Sequence, residues 1–552
     1  MKRTLLLPSV LLIVIAAVAF RISQPAGQTI KPIVFCNTGQ VHTMDPQQMT
    51  WIQDIDTALG LWEGLCQYDP HTMQPIPGTA LSWDISPDQL TYTFHLRHDA
   101  RWSNGDPVTS ADFMFAWRRI LQPATASEYV NMLFHLSGAR DYYNALAAGK
   151  PASFSSVGAK APDPWTIVVH LAQPCSYFLG LTAFPPYFPL NQKAMQPFLQ
   201  NDGEGTITYD PLWTHPPNLV SDGPYQLVDW KFHQYLDLTP NPFYWDHKNV
   251  HCARIQIVSK DPNIAFLAYH TGVIDVLSFV PPDFTYQLLQ QQEQGQRDDI
   301  HYVPVFGTYF YYFNCRHKPL NDPRVREALD LAVDKQKIVQ DVLRLPDKPL
   351  NVLVPPNMIS GYQSPAGLSM NVALARQLLA QAGYPDGHNF PTLTFLTNSE
   401  ATAAPHARIA QAILAMWKSE LNVNINIEQM ESKVFRQETL NGNYDVASGD
   451  WYGDYLDPTT WLDLFRSENP NNIARFSDTQ FDSLMLRSDG QIDPAARMAT
   501  LNQAETVLVQ EQLPAMPLFQ MSDGLIYDPE KIGGIDPNIR FLTLFKYMHW
   551  IN

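Results

Sequence analysis

The densest group of chemically capable side chains lies in the segment SGDWYGDYLDP, residues 448–458. Three carboxylates and three aromatic rings fall within it, at Asp450, Asp454 and Asp457 and at Trp451, Tyr452 and Tyr455. Four roles fit such a group: acid–base catalysis, metal binding, capture of an organic cation, and a structural role on a solvated loop.

The mixture of acid and aromatic groups suits capture of a cation. An unpaired carboxylate is costly to bury, so it is stabilised when a ligand ammonium completes the pair, and aromatic faces attract the same cation. The α-ammonium of a peptide has this chemistry. The residues alone leave the structural alternative open, and Asp450 and Asp457 are interpreted as loop or helix-capping acids.

A glycan hydrolase is the enzymatic alternative. It needs two carboxylates about 5–10 Å apart across a sugar, and Asp450 and Asp454 could supply them. The same four-residue spacing is common on solvated faces. The chain contains no G-x-S-x-G, P-loop, H-E-x-x-H or dinucleotide fingerprint, so no enzyme is predicted.

The histidines and cysteines indicate no metal site and no cofactor. His95 and His98 lie in or beside a predicted strand and are interpreted as structural. No C-x-x-C pair occurs, which disfavours a zinc site. One or two disulfides or buried free thiols both stay open for the five cysteines, Cys36, Cys66, Cys175, Cys252 and Cys315.

Length and charge bound the class of protein. The chain has 552 residues, of which 45% are hydrophobic and 16% charged, so it is globular and large enough for several domain-sized units. A net charge of −17 disfavours binding to nucleic acid and to anionic lipid. It suits a soluble protein that avoids membrane surfaces, or one that receives cations.

The N-terminus has the pattern of a secretory signal. Lys2 and Arg3 precede an apolar run from Leu5 to Phe20, which ends in the small residues of Ala17-Val18-Ala19. We predict a cleavable signal peptide at residues 1–19. The alternative is an uncleaved anchor to the outer face of the inner membrane.

Alternating and helical patterns interleave along the chain. Period-two alternation predicts a strand at 90–97, a hairpin within 225–245 and a strand at 253–259. Helical periodicity with capping signals predicts helices at 321–343, starting at Asp322, at 371–387, ending at Gly383, and at 494–512. Within 406–430 a helix leads into a strand near Leu421. The fold class is therefore α/β.

Residues 61–119 carry a dense series of motifs. In order they are E-G-L, A-x-S-W, T-Y-T-F-x-L-R, W-S-x-G-x-P-V-T-x-x-D-F and W-x-R. The chain here resembles the periplasmic oligopeptide-binding proteins, the family 5 extracellular solute receptors of peptide ABC importers. The resemblance continues at 222–246, 309–329, 378–387 and 444–465, and spans nearly everything from about residue 32 onward.

The resemblance implies a two-lobed periplasmic-binding-protein fold of type II, with an additional inserted domain and a hinge between the lobes. Lobe I would be discontinuous, formed by 32–62, 188–306 and 522–552. The extra domain would be 63–187 and lobe II 307–521.

The resemblance also implies the ligand contacts. Asp454 matches the aspartate that receives the peptide α-ammonium, while Trp451 and Tyr452 match positions that line the cleft. The peptide main chain would add to receptor main chain like a strand. Tyr129 matches a contact from the extra domain, His406 one near the carboxyl end of longer peptides, and Phe279 a position that often holds a polar residue.

The sequence departs from the family where the peptide carboxylate is received. Basic residues are replaced by Thr439, Ser448 and Leu343, although Arg344 and Arg436 are near in sequence. A tryptophan of the family is Ser432 here. We therefore expect a changed peptide length preference, or a modified ligand such as a cell-wall peptide.

The predicted function is that of a monomeric periplasmic receptor, which delivers oligopeptides to an inner-membrane ABC permease. A sibling receptor for a nickel chelate, haem or a sugar, a sensor or chaperone for extended chains, and the glycan hydrolase are the alternatives.

Overall fold

The computed structural model describes residues 31–37, 39–201, 207–281, 284–398, 404–469 and 471–551. The predicted signal peptide at 1–19 lies outside the described residues. Within the described ranges, no helix has the length and apolar character needed to cross a membrane.

The strands are numbered in chain order. They are β1 (Ile33–Asn37), β2 (Cys66–Tyr68), β3 (Pro75–Pro77), β4 (Ala80–Ile85), β5 (Thr91–Leu96), β6 (Ala159–Asp163), β7 (Thr166–His170), β8 (Leu199–Asn201), β9 (Ile207–Tyr209), β10 (Tyr225–Lys231), β11 (Tyr235–Pro240), β12 (Ile255–Ser259), β13 (Val276–Leu277), β14 (Ile300–Phe313), β15 (Lys348–Pro349), β16 (Leu393–Asn398), β17 (Ile425–Met430), β18 (Val446–Tyr452), β19 (Ala515–Tyr527), β20 (Ile532–Gly533) and β21 (His549–Trp550).

Helices pack on both faces of the sheets. The α-helices of at least eight residues are Ile52–Leu61, Ser110–Ile120, Ala139–Ala147, Pro262–His270, Thr285–Glu293, Pro323–Leu331, Val372–Gln381, Ala404–Leu421, Ser432–Asn441, Thr479–Asp489 and Pro494–Thr506. Shorter α-helices are Phe178–Leu181, Gln192–Met195, Lys335–Lys337 and Thr459–Leu462, and π-helical turns cover Ile338–Leu343 and Val507–Gln512.

One large sheet runs through both lobes, in the order β10-β11-β12-β1-β13-β19-β14-β18-β16-β17, with β15 on β19. The long antiparallel strands β14 and β19 join its two halves. The first part of β14 packs in an apolar cluster with β1 and β13. Its second part packs between two further clusters, one on each face of the sheet. Two lobes therefore share two continuous strands.

The ladder between β14 and β19 is interrupted where the strands pass between the lobes. Pairing stops at Pro304 with Ser522 and resumes at Thr308 with Gln520. Pro304 has no N–H to donate to a ladder. The crossing is thus the least hydrogen-bonded part of this pair and is the natural hinge.

A four-stranded antiparallel sheet, β4-β5-β7-β6, forms the centre of the inserted unit. In β5 the alternation found in the sequence is confirmed, because Tyr92, Phe94 and Leu96 are all buried. The apolar core of this unit is continuous with that of the first lobe.

Most of the other predicted elements are confirmed. The hairpin is β10–β11, the strand at 253–259 is β12, and the helix Ala404–Leu421 leads into β17. Asn371 caps the helix Val372–Gln381, and Gly383 follows it with φ +100°. The helix predicted at 494–512 is α-helical to Thr506 and π-helical beyond.

The prediction of one continuous helix over 321–343 is wrong, because the helix Pro323–Leu331 ends and the chain becomes helical again only at Lys335–Lys337 and Ile338–Leu343. Asp322 does cap the start, accepting a hydrogen bond from the Arg324 amide at 2.9 Å. The helix ends because tertiary partners take its last carbonyls. The Asn371 amide bonds to Leu331 O at 2.8 Å, and the Trp417 indole bonds to Leu329 O at 2.7 Å.

All five cysteines lie in the described ranges and none is bridged. Of the two alternatives left open by the sequence, free thiols are the one observed. Burial raises the pKa of Cys36 to about 11, so this thiol is unreactive at neutral pH.

A buried ion pair between Asp457 and Arg497 also binds the Ser176 hydroxyl of the inserted unit. Both oxygens of Asp457 accept from the Arg497 guanidinium, at 2.6 and 3.0 Å, and the Ser176 hydroxyl donates to Asp457 at 3.2 Å. Asp457 also accepts from the Thr459 amide at 3.1 Å, and it lies in the loop before the helix Thr459–Leu462, in agreement with the prediction of a loop acid. The pair holds the loop after β18 in place.

Arg497→Met is expected to lower the free energy of unfolding by about 3–5 kcal/mol, because it leaves a buried carboxylate without its cation. Urea denaturation followed by tryptophan fluorescence measures the change. Lys531→Met is the matched control, since its partner pair with Asp528 is exposed, and no measurable change is expected there. Equal losses in both variants would contradict this account.

Candidate functional site

The Asp454 loop follows directly after β18. The Gly453 amide bonds to Phe306 O at 2.7 Å, and a Cβ at Gly453 would lie 2.3 Å from the Phe306 ring. Only glycine therefore permits this close approach to β14. The Thr460 hydroxyl accepts from the Asp454 amide at 3.1 Å and from the Trp451 indole at 3.3 Å, and this fixes the turn.

The Asp454 carboxylate has one hydrogen-bond donor and no ion-pair partner among the described residues. The Tyr129 hydroxyl donates to Oδ1 at 3.2 Å. Burial raises the pKa of Asp454 to about 6, while the positive charge of Arg540 and the Tyr129 bond oppose the rise. Arg540 itself donates to the backbone carbonyl of Asp454 at 2.6 Å and forms no ion pair with the carboxylate.

Three parts of the chain meet at this loop. Tyr129 comes from the inserted unit and Arg540 from the C-terminal segment of the first lobe. The rings of Tyr177 and Tyr455 stack at a centroid distance of 4.0 Å, and Arg540 lies over the Tyr68 ring at 4.6 Å. The Asp454 loop is therefore a junction of separate parts of the chain.

The edge of β18 beside this loop has no strand partner. On one side β18 pairs with β14 along its whole length, from Val446 to Tyr452. On the other side it pairs with β16 only at Val446 and Ala447. Within the described ranges, the outer edge from Ser448 to Tyr452 is therefore open for an added strand.

Alternate residues of β18 face opposite sides of the sheet. The Trp451 ring packs against the apolar cluster that contains Trp461 and Phe306. Tyr452 is 44% exposed and donates to Asp523 on β19 at 2.9 Å. Both predicted cleft residues thus adjoin the Asp454 loop, but from opposite faces.

Asp450 lies within β18, opposite Tyr309 on β14. The prediction that Asp450 is a loop or capping acid is therefore wrong. Its side chain is exposed to the cleft yet surrounded by protein, and this dehydration raises its pKa. His406 stacks on the Tyr309 ring at 4.4 Å, and burial lowers the His406 pKa, which favours the neutral imidazole.

Two further acids continue this face. Burial raises the pKa of Asp523 to about 6, and the charge on Asp450 adds to the rise. Burial raises the pKa of Asp347 to about 7, although the Ser522 amide donates to it at 2.6 Å. Neither acid forms an ion pair with a basic side chain in the described ranges.

Phe279 is the predicted site residue that the structure does not bring to this group. It packs in the apolar cluster of the first lobe, beside β1 and β13. No hydrogen bond or ring contact within the described ranges joins it to the Asp454 loop.

The positions where the family has basic residues are uncharged and buried. Thr439 bonds within its own helix, to Phe435 O at 2.9 Å. Ser448 bonds to the Thr397 hydroxyl at 3.2 Å, and Leu343 belongs to an apolar core. Arg344 lies over the Tyr286 ring at 5.3 Å, and Arg436 is exposed on its helix.

Sequence reasoning missed Arg540, Thr460 and Asp523. A signal existed for Asp523, because it is a charged residue inside the apolar strand AMPLFQMSDGLIY. Arg540 reaches the site from 86 residues along the chain, and no local pattern predicts such a contact.

The carboxylates of this site can bind a cation. No group of three or more metal-ligating side chains occurs among the described residues. Carboxylates with raised pKa, tyrosine hydroxyls and an open strand edge together suit an extended ligand with an amino terminus.

Comparison with known proteins places the chain in one family. Residues 74–472 match the family described as bacterial extracellular solute-binding proteins, family 5 Middle. The periplasmic oligopeptide-binding protein OppA of Escherichia coli K12 is 32% identical, over 92% of this chain and 91% of that protein.

Solved structures of similar proteins have the same fold as this chain. Haemophilus influenzae OppA in complex with the peptide RPPGFSPFR has a TM-score of 0.79 at 28% identity, covering 95% of this chain and 100% of that one. The Escherichia coli murein tripeptide binding protein MppA has a TM-score of 0.80 at 29% identity, covering 95% and 99%. The two-lobed α/β periplasmic-binding fold of type II is thereby confirmed.

Thr460→Val is expected to destabilise the fold by about 1–3 kcal/mol, because two donors then lose their shared acceptor. Thr460→Ser is the control that keeps the hydroxyl. Urea denaturation compares both variants with the parent protein. A serine variant as unstable as the valine variant would show that the methyl group, not the hydroxyl, holds the loop.

Proposed function

Because the chain belongs to the bacterial extracellular solute-binding proteins of family 5, we propose that it is a receptor that binds oligopeptides in the cleft between its lobes. The observation that carries this proposal is the Asp454 carboxylate, which is partly buried and has no cation within ion-pair distance among the described residues. A peptide α-ammonium supplies that charge.

The open edge of β18 supports an extended peptide. Unpaired main-chain groups from Ser448 to Tyr452 lie next to the Asp454 loop, so a peptide anchored there can add as a strand. Main-chain pairing gives affinity that does not depend on the side chains of the ligand.

The other predicted site residues have different roles in ligand binding. Tyr129 orients the Asp454 carboxylate, Tyr452 flanks the first ligand residues, and Trp451 supports the strand from its other face. His406 lies further along the cleft, toward the carboxyl end of longer peptides. Phe279 contributes an apolar surface from the first lobe.

Ligand binding closes the lobes about the β14–β19 crossing. Closure is favoured only if the ligand contacts both lobes. A ligand held at Asp454 would do so, because Tyr129 and Arg540 reach this residue from other parts of the chain. The closed receptor delivers its ligand to an ABC permease of the inner membrane. It acts as a monomer in the periplasm, after removal of residues 1–19, and is not an enzyme.

Asp454→Asn is expected to weaken binding of pentaalanine by at least about 30-fold, since loss of a buried charge partner costs about 2–5 kcal/mol. Isothermal titration calorimetry measures the affinity, and the same titration with tri- and tetraalanine reports the length preference. Glu428→Gln is the matched control, because it removes one exposed carboxylate from β17 of the same sheet.

N-acetylated pentaalanine completes a double-mutant cycle. If the α-ammonium binds Asp454, acetylation weakens binding to the parent protein but adds little further loss in Asp454→Asn. Two fully additive losses would contradict the assignment.

The affinity for pentaalanine is expected to follow a bell-shaped pH profile. It rises as pH increases through about 6, where Asp454 ionises, and falls as the peptide amine deprotonates above about 7.7–8.0. Calorimetry from pH 5 to 9 measures the profile. The rising part should be strongly reduced in Asp454→Asn, and an affinity unchanged between pH 5 and 7 would argue against this role.

A further inference from the structure

We propose that two side chains, Asp347 and Gln520, form a clamp at the crossing between the lobes and hold the free protein in a closed arrangement. The clamp acts on the main chain of β14 and β19, at the place where their ladder is interrupted. This inference goes beyond the proposed function, because it concerns the protein without a ligand.

The interruption leaves main-chain groups without their partners in the ladder. Pairing stops between Pro304 and Ser522 and resumes between Thr308 and Gln520. Val305 and the two residues after it therefore have no ladder partner on β19. Main-chain polar groups that are shielded from water need a partner of some kind, and here side chains and neighbouring loops supply it.

Gln520 bridges the gap from β19 to β14. Its side-chain amide donates to Val305 O at 3.1 Å, and both residues are buried. By the lobe boundaries expected from the sequence, Gln520 belongs to lobe II and Val305 to the first lobe. This bond thus joins the two sides of the crossing in place of a ladder bond.

Asp347 holds the other strand of the crossing. It precedes β15, which pairs with β19 through Lys348 and Gln520. The Asp347 carboxylate accepts from the Ser522 amide at 2.6 Å, so it extends the pairing of β15 by one hydrogen bond. Bonds to an ionised acceptor are about twice as strong as neutral ones. Ser522 is where β19 passes into the first lobe, so this bond also spans the crossing.

The main chain beside the clamp is bound to both lobes. The Phe306 amide donates to Ile539 O at 2.6 Å, and the Phe306 carbonyl accepts from the Gly453 amide at 2.7 Å. Ile539 precedes Arg540 in the first lobe, and Gly453 precedes Asp454 in lobe II. A hinge rotation changes the main-chain dihedral angles of the crossing, and it therefore changes the geometry of these bonds and of the clamp.

Contacts across the cleft identify the arrangement that the clamp favours. Arg344 of lobe II lies over the Tyr286 ring of the first lobe at 5.3 Å. Tyr177 of the inserted unit stacks on Tyr455 of lobe II at 4.0 Å. The two sides of the cleft therefore touch at two places, as in a closed arrangement, and opening of the lobes would separate both pairs.

The test measures the shape of the ligand-free protein by small-angle X-ray scattering. Copurified ligand is first removed by denaturation, dialysis and refolding. The measurement is made at pH 8, because burial raises the pKa of Asp347 to about 7 and the carboxylate is then ionised. Asp347→Leu removes the acceptor and Gln520→Met removes the donor, each with a side chain of similar size. Both variants are expected to have a larger radius of gyration than the parent protein.

Two controls separate the clamp from general effects of substitution. Asp347→Asn keeps an oxygen that accepts from the Ser522 amide, so it should keep the radius of gyration of the parent. Gln429→Met makes the same change as Gln520→Met at an exposed position of β17, and it should also keep that radius.

Hydrogen exchange followed by mass spectrometry gives the size of the effect at a distance from the clamp. Ser176 and Tyr177 of the inserted unit contact lobe II, so their segment becomes more accessible when the lobes separate. In Asp347→Leu its exchange is expected to be at least about tenfold faster, equivalent to about 1.4 kcal/mol.

Equal radii of gyration in the parent, Asp347→Leu and Gln520→Met overturn the proposal, even if urea denaturation shows a loss of stability. The two bonds would then support only the local fold. An increase in Asp347→Asn as large as that in Asp347→Leu also overturns it. If circular dichroism shows that one variant does not fold, the other still tests the clamp. None of these results depends on peptide binding, which the titrations with pentaalanine test separately.

Discussion

The structure depends on how it accommodates carboxylates that are shielded from water. A shielded carboxylate must obtain a cation or backbone donors, or it keeps its proton. Most buried acids of this chain obtain them from the fold, as Asp457 does from Arg497. Asp454 obtains only the Tyr129 hydroxyl among the described residues, and the charge near Asp450 is that of His406. The Asp454 carboxylate is therefore held in place without a cation from the described part of the chain.

The rigidity of the Asp454 loop arises from several weak supports. Gly453 allows contact with β14, Thr460 joins two donors, and Arg540 binds the loop through its backbone. Arg540 could have neutralised the carboxylate, but its guanidinium is directed to a carbonyl and two aromatic rings instead. The geometry thus keeps the acid available at the junction of three parts of the chain.

Local patterns predicted local structure well. The cap at Asp322 and the change of period near Leu421 are properties of a few neighbouring residues, and both are confirmed. The helix break after Leu331 depends on Asn371 and Trp417, which no local pattern reveals. At the site, the resemblance identified Asp454 and Tyr129, which the structure joins. The residues alone had suggested a loop or helix-capping role for Asp450, whereas pairing with β14 makes the segment a strand. The discontinuous lobe boundaries rest on the resemblance alone.

The interrupted ladder between Pro304 and Thr308 contains none of the residues assigned to ligand contact, although the Phe306 carbonyl within it accepts from the Gly453 amide. Substitutions there would shift the balance of open and closed forms, and the apparent affinity for all ligands scales with that balance. The contacts proposed for the ligand lie elsewhere, on the Asp454 loop and along β18. Natural selection can therefore adjust how strongly this receptor holds its cargo without changing which cargo it prefers.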